Sequence, residues 1–239
     1  MACVITLTGA SGCGKSEIIK ELKIIRQEER YAGSFQPIMI PKFTTRGFRA
    51  NELALIEQHR EDELDVRPVV GRDNNVLPEN GSEITLEDQD EVRRKAFAAL
   101  DCDLVYEQYG NRYGIRMSEI YECLKKGQSP VIILNDIRAV EDIKIFLGKK
   151  CISLYVFRKT PSRMEYQKQE SLRKTNEVEA ENRFQKAQAI YRIYIENIHI
   201  FDKLVLNVQN GTESLRKVLQ QLVDNACQPP AFFQGENQV

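Results

Sequence analysis

Residues 4–16, VITLTGASGCGKS, join a short apolar stretch to a glycine-rich loop and the start of a helical segment. Met1–Thr8, MACVITLT, is short, apolar and rich in β-branched residues, which predicts a buried parallel strand. Gly9–Ser16 fits the pattern G-x-x-x-x-G-K-[ST]. In such a loop the backbone N–H groups converge on a phosphate at the N-terminus of the following helix, where the helix dipole favours anions. The segment therefore predicts a phosphate-binding turn, and a glycine-rich turn with an incidental Lys-Ser pair is the alternative.

The pattern also assigns roles to single side chains. Lys15 is expected to neutralise charge on the β- and γ-phosphates of ATP, and the Ser16 hydroxyl to ligate Mg²⁺. Cys13 is expected to be a spectator of small size. The loop thus predicts ATP as phosphoryl donor and Mg²⁺ as cofactor. The residues predicted to contact the ATP phosphates are Gly9, Ala10, Ser11, Gly12, Cys13, Gly14, Lys15 and Ser16.

The remaining chain alternates apolar and helical segments in a βαβα order, which favours a mostly parallel sheet flanked by helices. We therefore predict an α/β protein with a P-loop NTPase fold and a five-stranded, mostly parallel sheet. The further strands are predicted at Pro37–Ile40, Pro130–Leu134, Cys151–Phe157 and Lys203–Asn207. The helices are predicted from Lys15 to about Glu29, from about Val140 to Leu147 and at Thr212–Asn225.

A segment of different character separates the second and third predicted strands. It has about ninety residues, too many for a simple crossover, and so predicts an inserted subdomain. We assign 1–43 and 127–226 to the P-loop core, with a charged helical lid at about 160–190. Residues 44–126 form the enlarged acceptor-binding insert, and 227–239 the tail. Within the insert, the acid-dense stretch Glu57–Asp65 is interpreted as solvated surface, with a longer acceptor lobe or a dimer contact as alternatives.

Composition excludes several classes of protein. The chain has 239 residues and a formal net charge of -1, so no overall field attracts nucleic acid or an anionic membrane. Six scattered cysteines without a CxxC pair, and two histidines, argue against a structural zinc site and for reduced thiols. No stretch approaches the length of a membrane span. We expect a cytoplasmic monomer or homodimer that binds small nucleotide substrates, without nucleic acid or membrane partners.

Two further motifs follow the loop in a definite order. Pro41–Glu52 reads PKFTTRGFRANE, and Gly110–Gly114 reads GNRYG. With the loop, they make the chain resemble the guanylate kinase family of nucleoside monophosphate kinases, which has TTR-x-x-R-x-G-E and GNYYG segments in this order. A strand with an Asp-rich end, a lid with arginines and a short strand ending in Asn complete the family's order. Here Asp136, two lid arginines and Asn207 occupy those places.

The resemblance implies roles for side chains outside the loop. It implies that the acceptor's phosphate is held by the two arginines and the tyrosine, and the planar fork of Arg suits a phosphate. It implies that two lid arginines act with Lys15 in catalysis by countering charge on the transferring phosphoryl group. Asp136 follows a buried strand, so we expect it to hold the Mg²⁺ shell or the acceptor, with a helix N-cap or a turn residue as the alternative. The implied acceptor-binding residues are Thr44, Arg46, Arg49, Tyr113 and Asp136, and the implied lid residues are Arg173 and Arg183.

Several positions depart from the family pattern. In guanylate kinases a glutamate about nine residues before the GNYYG tyrosine, and a Ser or Thr two residues after it, read the guanine edge. The matching positions here are apolar, Leu104 and Ile115. Lys42 stands where the family has Ser, and Arg112 replaces the first tyrosine, so both add positive charge. The stretch Leu134–Ala139, LNDIRA, is similar to the VNGSRA of ribose 1,5-bisphosphate phosphokinases.

Three functions follow as hypotheses. The first is a nucleoside monophosphate kinase that transfers the γ-phosphoryl of ATP, with GMP as the favoured acceptor. The second is a kinase of a sugar phosphate such as ribose 1,5-bisphosphate, which the departures favour. The third is a guanylate-kinase-like interaction module without catalysis, which the retained Lys15 and Ser16 disfavour.

Overall fold

The structure is a computed structural model that describes residues 2–10, 12–69, 86–108, 110–157, 163–164, 177–207 and 211–227. Its strands are β1 (Val4–Thr8), β2 (Pro37–Met39), β3 (Lys42–Thr44), β4 (Val66–Pro68), β5 (Leu104–Gln108), β6 (Asn111–Ile115), β7 (Ser129–Ile133), β8 (Cys151–Phe157) and β9 (Lys203–Leu206). Its α-helices are α1 (Lys15–Gln27), α2 (Ala50–Glu57), α3 (Leu86–Ala98), α4 (Met117–Lys125), α5 (Ile137–Leu147), α6 (Glu177–Glu196) and α7 (Thr212–Cys227).

The main sheet has five strands in the order β2-β7-β1-β8-β9, and every neighbouring pair is parallel. β1 lies in the middle and is buried along its whole length. Because parallel strands are covered on both faces, such a strand needs apolar and β-branched residues on both sides. The predicted α/β class and five-stranded parallel sheet are confirmed, and the predicted strand and helix bounds agree to within about three residues.

Alternate residues of β1 point into two separate cores. Ile5 and Leu7 pack with the apolar sides of α1 and α7 on one face of the sheet. Val4 packs on the other face, where α4 and α5 contribute Ile120, Val140 and other side chains. This period-two division is what a central strand between two helical layers requires. The two layers fix the carboxyl edge of β1, where the glycine-rich loop begins.

A second sheet is formed by residues between β2 and β7. It has four strands in the order β4-β3-β6-β5, with β3 and β4 parallel and the other pairs antiparallel. β3 begins at Lys42, two residues before the predicted boundary at 44. The division of the chain into core, insert, lid and tail stays a prediction. Among the described residues, none of the helices is long and apolar enough to cross a membrane.

Candidate functional site

The glycine-rich loop connects the end of β1 to the start of α1. Gly14 is the N-cap of α1 and has a left-handed backbone with φ of 96°, and Gly12 has φ of 78°. L-residues with a Cβ adopt this region at a cost, so both positions favour glycine. The turn is closed by the Cys13 N–H, which donates to the Ala10 carbonyl at 3.2 Å. Ser11 lies outside the described residues.

The Lys15 side chain folds back over this turn. Its ammonium donates to the carbonyl oxygens of Gly9 at 2.7 Å and Ala10 at 3.0 Å, and lies 3.7 Å from the Cys13 sulfur. The positive charge therefore stands over the loop, at the N-terminal end of α1. Charge and helix dipole act together there on an anion.

Asn207, directly after β9, supports the loop from the opposite side. Its side-chain amide donates to the Cys13 carbonyl at 3.0 Å. A Cβ added at Gly14 would lie 1.7 Å from the Asn207 amide nitrogen. The close approach of this amide therefore requires glycine at position 14. The family order assigned Asn207 only a place in the sequence, and the contact with the loop comes from the structure.

We predict that Gly14→Ala weakens binding of an ATP analogue about 10- to 100-fold, because the αL conformation costs roughly 1–2 kcal/mol and Asn207 must also move. Isothermal titration with magnesium and the β,γ-imido analogue measures this change. Gly33→Ala is the matched control, because Gly33 has φ of 75° but an added Cβ there meets nothing within 4 Å. The control is expected to lose stability and keep analogue affinity. Equal affinities for Gly14→Ala and wild type would contradict the proposed geometry.

Arg46 is held by a buried carboxylate. Its two terminal nitrogens bond both oxygens of Glu52, and one of them also donates to the Gly47 carbonyl at 2.8 Å. The side chains of Arg46 and Glu52 are only 12% and 4% exposed. Burial alone would lower the pKa of Arg46, but the hydrogen bonds and charge of Glu52 raise it above its usual value. The Arg46 Nε is buried and has no hydrogen-bond partner in the described part of the chain, so one donor of the guanidinium remains to be satisfied.

The other predicted acceptor residues surround Arg46. The Thr44 hydroxyl accepts from the Arg46 backbone N–H at 3.2 Å, so Thr44 shapes the turn that carries the guanidinium. Arg49 is the exposed N-cap of α2, and its backbone N–H donates to Glu52 at 2.8 Å. Tyr113 is opposite Thr44 in the β3–β6 register, and its ring stacks on that of Tyr106 with centroids 5.3 Å apart. The second sheet thus brings these residues to one region, while their contact with an acceptor stays a prediction.

Lys42 forms a link between the two sheets. Its ammonium donates to the carbonyl of Ile133, the last residue of β7, at 2.6 Å and to the Asp65 carboxylate at 3.4 Å. Burial lowers the pKa of Lys42, Asp65 opposes this effect, and nearby Lys15 and Arg46 lower the pKa further. Burial alone would raise the pKa of Asp65, but Lys42, Arg46 and Arg49 together hold it below its usual value. The charge of Lys15 at the loop and those of the arginines after β3 therefore act on the Lys42–Asp65 pair.

The role of Asp65 is absent from the sequence prediction. Asp65 closes the stretch that the sequence indicates as solvated surface, and its neighbours Asp62 and Glu63 do pair with Lys23 at the surface. Asp65 differs because β4 runs parallel to β3, so its backbone carbonyl accepts from Lys42 and its side chain reaches the ammonium. The signal in the sequence was an acidic residue directly before the short segment Val66–Pro68, which forms β4.

The two apolar positions that replace the expected guanine readers lie in the core. Leu104 and Ile115 are paired across β5 and β6, and both are buried against residues of α4 and α5. Their side chains form part of the layer beneath the main sheet. A nucleobase would therefore have to be bound by other residues.

Asp136 takes the role that was the alternative in the prediction. It is the N-cap of α5, and its Oδ1 accepts from the Ala139 N–H at 2.9 Å. Capping uses one carboxylate oxygen, so an additional role toward metal or acceptor stays a prediction. Its neighbour Asn135 has a buried side-chain Oδ1 without a hydrogen-bond partner among the described residues. The Asn135 backbone carbonyl is fixed by the Tyr194 hydroxyl at 2.7 Å.

These oxygens fit the chemistry of Mg²⁺, which prefers oxygen ligands and keeps several waters. Ser16 is exposed in the first turn of α1, and Asn135 and Asp136 follow β7, the strand next to β1. Among the residues described, no three His, Cys, Asp or Glu side chains converge as a metal-binding group. A magnesium ion here would therefore depend on Ser16, on oxygens after β7 and on the donor's own phosphates.

The predicted lid residues are only partly described. Arg173 lies outside the described residues, and Arg183 lies within α6, where its side chain is not described. Their roles in catalysis stay predictions.

Comparison with known proteins supports the fold assignment. No family model and no curated protein sequence matches the chain. A guanylate kinase from Anaplasma phagocytophilum is similar in structure, with a TM-score of 0.55 and 14% identity over 96% of this chain and 88% of that one. This chain has a P-loop kinase fold. A shikimate kinase from Acinetobacter baumannii in complex with shikimate (TM-score 0.45, 14% identity, 95% and 97% covered) and a dephospho-CoA kinase from Campylobacter jejuni (0.40, 10%, 93% and 96%) are weaker matches.

Proposed function

We propose that this chain is a phosphotransferase that moves the γ-phosphoryl group of ATP to an oxygen of a small phosphorylated acceptor. The observation that carries this proposal is the arrangement of cations at the carboxyl edge of the main sheet. Lys15 stands over the glycine-rich loop, and Lys42 and Arg46 extend the positive region toward the second sheet. Two phosphate groups that meet in such a region have their repulsion reduced by fixed cations.

The proposed reaction is an in-line displacement. An oxygen of the acceptor's phosphate attacks the γ-phosphorus, a new P–O bond forms, and the bond to the β–γ bridging oxygen breaks to release ADP. Lys15 and the loop N–H groups hold the donor, and Arg46 orients the acceptor, so positioning and charge neutralisation account for most of the catalysis. When bound through Ser16, Mg²⁺ supplies further charge neutralisation on the phosphates. Arg173 and Arg183 are proposed to reach the γ-phosphoryl group when the lid closes.

A nucleoside monophosphate, with GMP first, is the primary candidate acceptor. It is supported by the order of the TTR-x-x-R and GNRYG motifs and by the structural likeness to a guanylate kinase. A sugar phosphate such as ribose 1,5-bisphosphate is the second candidate. It is supported by the burial of Leu104 and Ile115 in the core and by the charge of Lys42. We also propose a cytoplasmic monomer or homodimer without nucleic-acid or membrane partners.

A coupled assay of ADP release tests the proposal. The acceptors are GMP, dGMP, AMP, CMP, UMP and ribose 1,5-bisphosphate, each with ATP and Mg²⁺, and the ATPase rate without acceptor is subtracted. Turnover of one acceptor supports the phosphotransferase and identifies the candidate. Turnover of nucleotides alone eliminates the sugar-phosphate candidate. Silence on all six, with no ATPase activity, would leave a non-catalytic interaction module as the better account.

A further inference from the structure

The Lys42–Asp65 pair has features that a structural ion pair does not need. The Lys42 side chain is 4% exposed, and its ammonium crosses from β3 to the Ile133 carbonyl at the end of β7. Leu7 and Ile133 are register partners, and Leu7 lies two residues before the glycine-rich loop. A lysine could pack more cheaply with its charge in solvent, because burial of an ammonium carries a large desolvation penalty. The Lys42 ammonium therefore lies at the carboxyl edge of the main sheet, beside the strand that leads into the glycine-rich loop.

The neighbours of this pair leave positive charge in excess. Lys15, Arg46 and Arg49 all act on Lys42 or Asp65. The nearby carboxylate of Glu52 is already bonded to Arg46 and to the N-cap of α2. Asp65 is therefore the single carboxylate bonded to Lys42 among the described residues, at the long distance of 3.4 Å. An anion between the loop and the second sheet would balance the remaining charge.

We propose that Lys42 is a direct ligand of the acceptor's phosphate, and that Asp65 is the positioning residue that directs its ammonium. This inference rests on the proposed phosphotransferase function and adds a residue to it. An ammonium has three N–H donors, of which Ile133 and Asp65 occupy two, so one further bond to a phosphate oxygen completes the set. Lys42 then connects donor and acceptor, since the charges of both Lys15 and Arg46 act on it.

The experiment separates the donor site from the acceptor site. The protein is first saturated with Mg²⁺ and the β,γ-imido analogue of ATP, and the affinity for the analogue is recorded. Inorganic phosphate is then titrated as the probe of the acceptor site, by isothermal titration or ³¹P NMR. Lys42→Met is expected to weaken phosphate binding about 10- to 100-fold, the range for a hydrogen bond to a charged group, and to change analogue affinity less than about threefold.

Further variants keep the test decisive. Lys42→Met leaves Asp65 without its partner and can unfold the protein, so Lys42→Met/Asp65→Leu removes both charges together. The double variant is expected to fold and to show the same loss of phosphate binding. Lys42→Arg is expected to retain most of the phosphate affinity. Asp65→Asn is expected to weaken phosphate binding, and Asp65→Glu is expected to bind phosphate about as well as wild type. Lys217→Met, at an exposed lysine paired with Glu213 on α7, is the matched control and is expected to bind phosphate like wild type.

The outcomes distinguish this inference from the proposed function. Failure of the wild-type protein to bind the analogue would overturn the phosphotransferase itself. Normal analogue binding without phosphate binding, or equal phosphate affinity in wild type, Lys42→Met and the double variant, would overturn the role of Lys42 alone.

Discussion

Replacing Lys15 by methionine is expected to lower kcat/KM for ATP at least about a hundredfold, as removal of a single charge-stabilising donor does in other active sites. Lys15 contributes the only ammonium that contacts the loop in the described part of the structure, through its bonds to the Gly9 and Ala10 carbonyls. Methionine keeps the length and apolar character of the stem but removes the charge from the N-terminal end of α1. The measurement is ADP release together with titration of the ATP analogue.

The control for this variant is Lys20→Met, on the same helix. Lys20 is 58% exposed and pairs with Glu17 across one helical turn, so its loss is expected to leave turnover unchanged. Thermal melts of both variants show whether a loss arises from unfolding. Turnover that survives in Lys15→Met would contradict the assignment of Gly9–Ser16 as the donor site. If turnover is lost in Lys15→Met but retained in Lys20→Met, the hypothesis of a non-catalytic interaction module is eliminated.

Replacing Glu52 by alanine is expected to destabilise the protein by about 3–5 kcal/mol, the usual result of breaking a buried ion pair from one side. The substitution removes both oxygens that bond Arg46 and the acceptor for the Arg49 N–H. The Arg46 side chain, 12% exposed, would then keep its charge in a site with little access to water. Urea unfolding monitored by circular dichroism measures the change.

A double-mutant cycle identifies the cause. Glu52→Ala/Arg46→Met is expected to regain part of the lost stability, because no uncompensated charge remains. Glu63→Ala, which breaks the more exposed pairs of Glu63 with Arg60 and Lys23, is the matched control and should cost less than about 1 kcal/mol. If Glu52→Ala unfolds at the same urea concentration as wild type, Arg46 is not held in the way described.

Local patterns in the sequence were enough to predict the centre of the fold. The strand Val4–Thr8, the loop and α1 are consecutive in the chain, and each follows from short-range rules on burial and backbone conformation. The strands Cys151–Phe157 and Lys203–Leu206 are also short apolar runs bounded by polar residues. Their order in the sheet, with β1 between β7 and β8, requires long-range pairing that no single segment specifies.

The acceptor region was harder to predict for the same reason. Lys42 and Asp65 are 23 residues apart and meet only because β3 and β4 pair in parallel. Alternation along β5 shows that its side chains point to two faces, but not which face meets the core, so the burial of Leu104 emerged only from the structure. Asp136 had two predicted roles, as a metal or acceptor ligand at the end of a strand and as the N-cap of a helix. Its local sequence did not distinguish them, and in the structure it caps α5.

We propose that backbone amides between β1 and α1, together with Lys15, bind the β-phosphate of a nucleotide. Isothermal titration of wild-type protein with Mg²⁺ and the β,γ-imido analogue of ATP, compared with adenosine, measures this binding. We predict saturable binding of the analogue below millimolar concentration and much weaker binding of adenosine, which has no phosphate. Absence of analogue binding at millimolar concentration, or equal affinity for adenosine, would show that the loop is not a phosphate site.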